Sequence, residues 1–154
     1  PYDIVNAYLP PVLKSFAKAY PQVQISLVCR SSANLRDALS AGEIDLTLTT
    51  ELTCGPEGES LSADRLVWVG AKGGEAHLRR PLPVSFGSET CAFKPVIIHA
   101  LRRADIEWRP VSEISNMDAM NATVQTDLAV MALLASTVPG HMESLGRNSG
   151  LPAL

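Results

Sequence analysis

The beginning of the chain alternates twice between a helical pattern and a strand pattern, and this order constrains the fold more than any other feature. Apolar side chains recur at three- and four-residue spacing over residues 4–20, which predicts a helix that Pro21 ends. Residues 23–29 then alternate between apolar and polar side chains, the period of a strand with one buried face. A second helix is predicted over 33–41 and a second buried strand over 44–49. Successive helix-to-strand units predict a parallel sheet covered by helices, the α/β class.

Local signals define where these two helices begin and end. Asp3 is a candidate N-cap for the first helix. Pro10 and Pro11 remove two amide donors, so we expect the regular part of that helix to begin near Pro10. Gly42 suits the left-handed residue that follows the second helix. The predicted inward residues are Leu9, Val12, Leu13, Phe16, Ala17 and Tyr20 in the first helix, and Leu35, Ala38 and Leu39 in the second.

The second half of the chain repeats the order of strand and helix. We interpret residues 1–69 and 70–154 as two lobes hinged near Gly70. A parallel sheet needs a strand before its first helix, and a two-lobe hinge uses a second crossing. We therefore expect the first strand of lobe I and the return segment from lobe II to be missing. The predicted elements are strands over 66–71, 83–86, 108–114 and 128–134, helices over 92–104 and 118–126, and an unstructured tail over 147–154.

The composition is that of a folded protein without a nucleic-acid-binding face. With 154 residues, of which 46% are hydrophobic, the chain can form one domain or two small lobes. The net charge is −3, and basic residues adjoin only at Arg79-Arg80 and Arg102-Arg103, so contact with DNA would require another segment. The three cysteines have neither CxxC nor zinc-type spacing, which favours a reducing compartment, the cytoplasm. The sequence, which begins at Pro1, contains neither a signal peptide nor a bilayer-spanning stretch.

Catalytic motifs are absent from the sequence. There is no GxSxG elbow, HExxH zinc motif, GKS/T phosphate loop or GxGxxG turn. His77, His99 and His141 are far apart in the sequence, and a surface position explains them better than a catalytic role. An enzyme on this scaffold would need an acid, a base or a cofactor-binding lysine in the cleft, and Lys72 and Lys94 are the only lysines expected near it. We therefore expect no enzymatic activity, no cofactor and no metal.

Polar residues follow the predicted strands one after another. The carboxyl ends of parallel strands share one edge of a sheet, where helix N-termini offer amide donors to an anion. The alternative is that these residues only cap helices. Cys91, at a predicted helix start, is either a reactive thiol or, more simply, a small residue that lines the cleft. We favour a cleft for a small anionic ligand, formed by Ser31, Ser32, Thr49, Thr50, Thr90, Cys91, Ser115 and Asn116.

Several segments carry the motifs of a known family. They are Tyr8-Leu9-Pro10-Pro11-Val12-Leu13, Phe16, Tyr20-Pro21 and Val23, then Ser31-Ser32, Leu35, Leu39 and Ala41-Gly42-Glu43-Ile44-Asp45-Leu46. These residues resemble the effector-binding domain of LysR-type transcriptional regulators over nearly the whole chain. Residues 66–71, 80–83 and 91–93 are most similar to the subgroup typified by LrhA and HexA. The chain departs from the family at residues 125–129, where a Gly-Leu-Gly-like turn is usual, and it lacks the winged helix-turn-helix.

The resemblance implies two Rossmann-like lobes of type 2 periplasmic-binding-protein architecture, with a small effector between them. Ligand binding would favour one lobe arrangement and be relayed to DNA-binding domains. It also implies a homodimer through antiparallel lobe I–lobe II contacts that use the first helix around Val12 and Phe16. The full-length regulator would be a tetramer that contacts DNA only through the missing N-terminal domain. The effector-binding residues that it implies are Asp3, Ser31, Ser32, Thr49, Thr50, Cys91, Ala92, Phe93, Ser115 and Asn116.

An extracytoplasmic solute-binding protein of the same fold is the alternative function. That class predicts a signal peptide upstream of the first helix. A regulator predicts a winged helix-turn-helix at the same place, so the upstream sequence distinguishes the two classes.

Overall fold

Two units divide the chain in a computed structural model, unit 1 at Pro1–Thr50 and unit 2 at Glu51–Leu154. The structure describes residues 1–113 and 116–154. The predicted effector residue Ser115 and the last residue of the predicted strand over 108–114 therefore lie outside the described residues.

Unit 1 contains two helices, α1 at Val5–Ala19 and α2 at Ser32–Ser40. The hydroxyl of Ser31 caps α2 by accepting a hydrogen bond from the Asn34 amide at 3.3 Å. Gly42 follows α2 with a φ of 71°, in the left-handed region. The predicted second helix and the conformation of Gly42 are thus confirmed, since both depend on signals within a few residues.

Helix α1 is regular from its first turn, which the sequence did not indicate. The Tyr8 amide donates to the Ile4 carbonyl at 3.0 Å, before the two prolines. The expected start near Pro10 is therefore wrong, because a proline inside a helix removes its own amide bond but keeps a helical φ. Ile4 occupies the N-cap position and makes no side-chain cap bond, so the prediction that Asp3 caps the helix is also wrong.

The two strands predicted in unit 1 do not form. Residues 23–29 and 44–49 are all described, and they pair with no strand in the part of the chain that the structure describes. The apolar alternation predicts which face of a strand would be buried, but a strand also needs a neighbour to complete its hydrogen bonds. Without a sheet beside it, α1 has no buried residue among its 15 described positions, so the predicted buried stripe is wrong. Leu39 of α2 is likewise exposed, whereas Leu35 and Ala38 are buried as predicted.

Unit 2 contains the five strands of the described structure. Its predicted strands and helices are confirmed to within a few residues at their ends. They are β1 at Leu66–Ala71, β2 at Leu82–Phe86, α3 at Phe93–Arg103, β3 at Trp108–Glu113, α4 at Met117–Gln125 and β4 at Met131–Leu134. The fifth strand, β5 at Met142–Ser144, was not predicted from the sequence.

The strands of unit 2 form a parallel pair and an antiparallel set of three. Strand β2 runs parallel to β3, while β1 lies between β4 and β5 and is antiparallel to both. The two sets join at Val130, which precedes β4. Its carbonyl accepts from the Ser85 amide at 2.8 Å and its amide donates to the Pro83 carbonyl at 2.9 Å. The mixed sheet is thus continuous through one bridge.

Both faces of this mixed sheet are covered. One apolar cluster contains Ile97 and Leu101 of α3, together with Trp68 of β1. The other contains Met120 and Val124 of α4, together with Val69 of β1 and Met131 of β4. Neighbouring residues of β1 therefore face different clusters, as the alternation of a strand requires.

The C-terminal segment is ordered, so the prediction of an unstructured tail is wrong. The Trp68 indole Nε1 donates to the Pro152 carbonyl at 2.8 Å. Leu151 and Leu154 pack against the cluster that contains Leu101. A buried tryptophan needs an acceptor for its N–H, and the tail supplies one from 84 residues away in the sequence.

Candidate functional site

Unit 1 joins three of the predicted effector residues by hydrogen bonds. The Thr50 hydroxyl donates to Asp3 Oδ2 at 2.8 Å. The Ser32 hydroxyl accepts from the Thr50 amide at 2.9 Å and contacts the Thr50 carbonyl at 3.2 Å. These bonds tie together the residues before α1, the start of α2 and the end of the segment after Gly42. We call Asp3, Ser32 and Thr50 the unit 1 polar group.

The other two predicted residues of unit 1 lie beside this group in the sequence. Ser31 uses its hydroxyl to cap α2. Thr49 is exposed. The interpretation that a polar residue only caps a helix therefore describes the bond of Ser31, but it does not describe the bonds of Ser32 and Thr50.

In unit 2, Cys91, Ala92 and Phe93 form the start of α3. The Cys91 amide donates to the Ser88 carbonyl at 2.9 Å, which closes a tight turn after β2. A Cβ built on Gly87 would lie 2.8 Å from the Cys91 Cβ and 2.9 Å from its Sγ, so this turn requires glycine there. Phe93 packs against the core cluster of α3, which makes at least part of its role structural.

Asn116 caps α4. Its Oδ1 accepts from the Asp118 amide at 2.9 Å and from the Ala119 amide at 3.1 Å. Its amide oxygen thus satisfies two of the donors that a helix N-terminus leaves without an intrahelical partner. As with Ser31, the capping interpretation accounts for these two bonds.

A mostly buried lysine three residues after Cys91 was not predicted as a ligand-binding residue. Lys94 Nζ lies 2.5 Å from Glu89 Oε1 and 3.0 Å from Glu113 Oε2. The ammonium also lies 5.7 Å from the centre of the Phe86 ring. The hydrogen bond to Glu89, followed by that to Glu113, raises the pKa of Lys94, and the same contact lowers the pKa of Glu89. No sequence motif marks this group, because Glu113 is 19 residues away in the sequence.

Two serines form a second polar contact that the sequence did not reveal. Ser85 of β2 is buried, and its hydroxyl lies 2.5 Å from the hydroxyl of Ser112 of β3. The strand register shifts between Val84 and Ser85, so Val84 pairs with Pro110 but Ser85 pairs with Ser112. Such a bulge re-aims the side chains that follow it. Ser85, within an apolar strand, was the only signal of this contact in the sequence.

Asp127 organises a turn elsewhere in unit 2. Its carboxylate accepts from the amides of Glu75 and Ala76 at 3.1 and 2.9 Å and from the Arg79 guanidinium at 2.9 Å. Partial burial acts to raise the pKa of Asp127, but these amide bonds and the charge of Arg79 outweigh it and lower the pKa below its ordinary value. Asp127 also has a φ of 57°, a conformation that Asp and Asn tolerate better than most residues.

A surface groove of about 440 Å³ lies at the amino ends of β2 and β3. Glu113 and Phe86 are at the opposite ends of these strands, so the groove is not the predicted ligand site. Across residues 1–113 and 116–154, no three His, Cys, Asp or Glu side chains are grouped as a metal would need. In the same part of the chain, no helix has both the length and the apolar character of a membrane span.

The mixed sheet of unit 2 and the helices that cover its two faces define the fold as an α/β domain. A sequence profile described as "LysR substrate binding domain" matches residues 1–146. The chain therefore belongs to the LysR substrate-binding domain family. Because domains of this family have the periplasmic-binding-protein-like α/β fold, the predicted fold class is confirmed.

Two curated relatives that match almost all of the chain are transcriptional regulators. The HTH-type transcriptional regulator DgdR of Burkholderia cepacia is 25% identical over 154 residues, which are 100% of this chain and 52% of that protein. The HTH-type transcriptional regulator PecT of Dickeya dadantii (strain 3937) is 23% identical over 152 residues, 99% of this chain and 48% of that protein. The chain thus spans about half the length of these relatives.

Solved structures share the fold at low sequence identity. The effector-binding domain of QuiR in complex with shikimate has a TM-score of 0.69 at 17% identity, over 94% of this chain and 76% of that one. The regulatory domain of Synechocystis CcmR in complex with 2-PG has a TM-score of 0.69 at 15% identity, over 99% of this chain and 76% of that one. At these identities the likeness establishes the fold alone.

Proposed function

We propose that this chain is the effector-binding domain of a LysR-type DNA-binding transcriptional regulator and that it binds a small anionic metabolite. The observation that carries the proposal is the unit 1 polar group, which occurs in a chain that the family profile matches over residues 1–146. The complexes of QuiR with shikimate and of CcmR with 2-PG support a small anion as the ligand class.

We propose that the ligand lies between two lobes, at residues 1–69 and 70–154. Ligand binding would then favour one arrangement of the lobes through its higher affinity for that arrangement. The two units at 1–50 and 51–154 support a division in the first half of the chain. The proposed effector-binding residues are Asp3, Ser31, Ser32, Thr49, Thr50, Cys91, Ala92, Phe93, Ser115 and Asn116.

The proposed partners are a second copy of the chain and, through the rest of the regulator, DNA. Val12 and Phe16 are exposed on α1, which supports an antiparallel contact between lobe I of one copy and lobe II of the other. Four copies would form the full-length regulator. The chain itself would not contact DNA, because its net charge is −3.

We further propose a cytoplasmic, non-enzymatic protein of the subgroup typified by LrhA and HexA. The named relatives are regulators, which supports this class over an extracytoplasmic solute-binding protein. The motifs at residues 66–71, 80–83 and 91–93 support the subgroup.

Thermal unfolding with a panel of anions that includes shikimate and 2-PG tests the proposed function. A ligand that binds only the folded state raises the midpoint of unfolding in proportion to its occupancy. We expect at least one anion to raise that midpoint. Thr50→Val keeps the shape of the side chain but removes the hydroxyl that donates to Asp3, and we expect it to lose more than half of the ligand-induced shift.

Thr53→Val is the matched control, because Thr53 lies in an exposed loop and should leave the shift unchanged. Cys91→Leu places a bulky side chain in unit 2 and should also weaken the shift. The proposal fails if no anion stabilises the chain, or if Thr50→Val and Cys91→Leu both respond like the parent.

A further inference from the structure

The two carboxylates that hold Lys94 differ in how firmly they are placed. The Lys94 side chain is 12% exposed, while the side chain of Glu89 is 82% exposed and that of Glu113 is 40% exposed. Glu113 ends β3 and pairs with Phe86 in the sheet, so the backbone sets its position. Glu89 lies in the loop between β2 and α3 and reaches the ammonium from solvent. An ion pair with so exposed a partner contributes little to stability.

A second observation links Glu89 to a predicted effector residue. The loop that carries Glu89 also carries Cys91, two residues later, and the Cys91 amide donates to the Ser88 carbonyl at 2.9 Å. The hydroxyls of Ser88 and Thr90 lie 3.1 Å apart on either side of Glu89. The absence of a side chain on Gly87 lets Cys91 fold back onto the loop. The tight turn therefore places Glu89 close to Cys91 in unit 2.

We propose that Lys94 is an anion-receiving residue of unit 2 and that Glu89 occupies its ammonium until a ligand carboxylate or phosphate replaces it. The inference deepens the proposed function and rests on it. Glu113 stays on the ammonium during the exchange. A lysine ammonium has three donors, so it can hold Glu113 and a ligand oxygen together.

The exchange selects for charge. A neutral ligand does not replace Glu89, because it would leave the Lys94 ammonium with a weaker partner than the carboxylate it loses. An anion balances the positive charge of Lys94 as Glu89 did. The Glu89 side chain, which is already mostly exposed, is then released into solvent. Lys94 therefore acts as a specificity-determining residue for carboxylate or phosphate.

Lysine side-chain NMR with sodium phosphate and sodium acetate tests this inference. The chain contains four lysines, and Lys14, Lys18 and Lys72 are exposed internal controls for general salt effects. With ¹³C-labelled lysine, we expect the Lys94 Cε signal to shift saturably with either anion at constant ionic strength. The signal of Lys72 should follow ionic strength only.

Variants test whether Glu89 is the carboxylate that the anion displaces from Lys94. Glu89→Gln keeps the shape but removes the charge, and we expect it to tighten the apparent Kd for phosphate about three- to tenfold. Lys72→Gln is the matched control and should leave the Kd unchanged. The inference is overturned if Lys94 shifts in parallel with Lys72, or if Glu89→Gln binds phosphate no more tightly than the parent. Both outcomes are readable with Lys94 intact, so they do not depend on how a Lys94 variant folds.

The two proposals can fail separately. If an anion from the effector panel stabilises the chain but Glu89→Gln changes nothing, the proposed function stands and the exchange at Lys94 is wrong. If phosphate exchanges at Lys94 while no effector-type anion raises the unfolding midpoint, the anion site stands and the proposed function falls.

Discussion

Unit 1 and unit 2 both carry clear strand patterns, yet within residues 1–113 and 116–154 only unit 2 forms strands. In unit 2, β1 has partners on both sides, and α3 and α4 cover two apolar clusters. In unit 1, the segments at 23–29 and 44–49 have the alternation of strands but pair with no strand in the described chain. The comparison teaches that the alternation of apolar residues predicts which face of a strand would be buried. Whether the strand forms depends on a neighbouring strand that completes its backbone hydrogen bonds.

The two units also differ in their spectroscopic reporters. Both tryptophans, Trp68 and Trp108, belong to unit 2, and the three tyrosines, Tyr2, Tyr8 and Tyr20, belong to unit 1. Tryptophan emission therefore follows the sheet of unit 2, and the near-ultraviolet circular dichroism of tyrosine follows unit 1. This allows each unit to be tested in the same sample.

The largest expected difference between the units is in their leucines. Leu101 is 0% exposed in the core of unit 2, whereas Leu39 is 41% exposed on α2 of unit 1. We expect Leu101→Ala to lower the free energy of unfolding by about 2–5 kcal/mol, because it removes buried methyl groups and leaves a cavity. Leu39→Ala should cost less than about 1 kcal/mol. Urea unfolding with both reporters checks this, and equal losses for the two variants would contradict the comparison.

The hydroxyl pair of Ser85 and Ser112 should give a smaller effect. Ser112→Ala leaves the buried Ser85 hydroxyl without its partner, and we expect it to cost about 1–3 kcal/mol. The double variant with Ser85→Ala should recover part of that loss, since no buried hydroxyl then remains unpaired. A urea-unfolding double-mutant cycle measures the coupling. Ser40→Ala, on the exposed end of α2, is the control in unit 1.

The smallest effect is expected on the free energy of unfolding at acid pH. Because the folded-state pKa of Asp127 lies below the ordinary value of 3.8, its carboxylate stabilises the fold above that value. This contribution is lost as the pH falls through the lowered folded-state pKa. Asp127→Asn suits the positive φ and should flatten the loss of stability below about pH 4.

Asp37→Asn, on the exposed face of α2, is the control for that measurement in unit 1. Tryptophan emission followed in acid titrations at fixed urea concentration checks both variants. The prediction is contradicted if Asp127→Asn loses stability in acid as steeply as the parent. The hydrogen bonds from the Glu75 and Ala76 amides would then stabilise the fold equally well without the charge of Asp127.

The sequence predicted most of the fold where the signals were local. The cap of α2, the left-handed Gly42 and the boundaries of β1 all follow from neighbouring residues. The errors have a different origin. The buried stripe of α1 needed a sheet to cover it, and the order of the tail depends on Trp68, far away in the chain.

The candidate site shows the same division. Ser31 and Asn116 were recognisable from their positions before helices, and their bonds are those of caps. The bonds from Thr50 to Asp3 and Ser32 were consistent with the predicted edge, although spacing alone did not pair them. The contact of Lys94 with Glu113 was not foreseeable, because each residue alone reads as an exposed charge.

By itself, the amino-acid sequence determined the order of helices and strands from β1 to β4, the caps of α2 and α4 and the family, because capping and periodicity act over a few residues. Only the tertiary structure decided that residues 23–29 and 44–49 remain unpaired, that Ser85 meets Ser112 and that Lys94 lies between two carboxylates. Those outcomes depend on residues far apart in the sequence, and the energy of such a contact is realised only when the whole unit has folded.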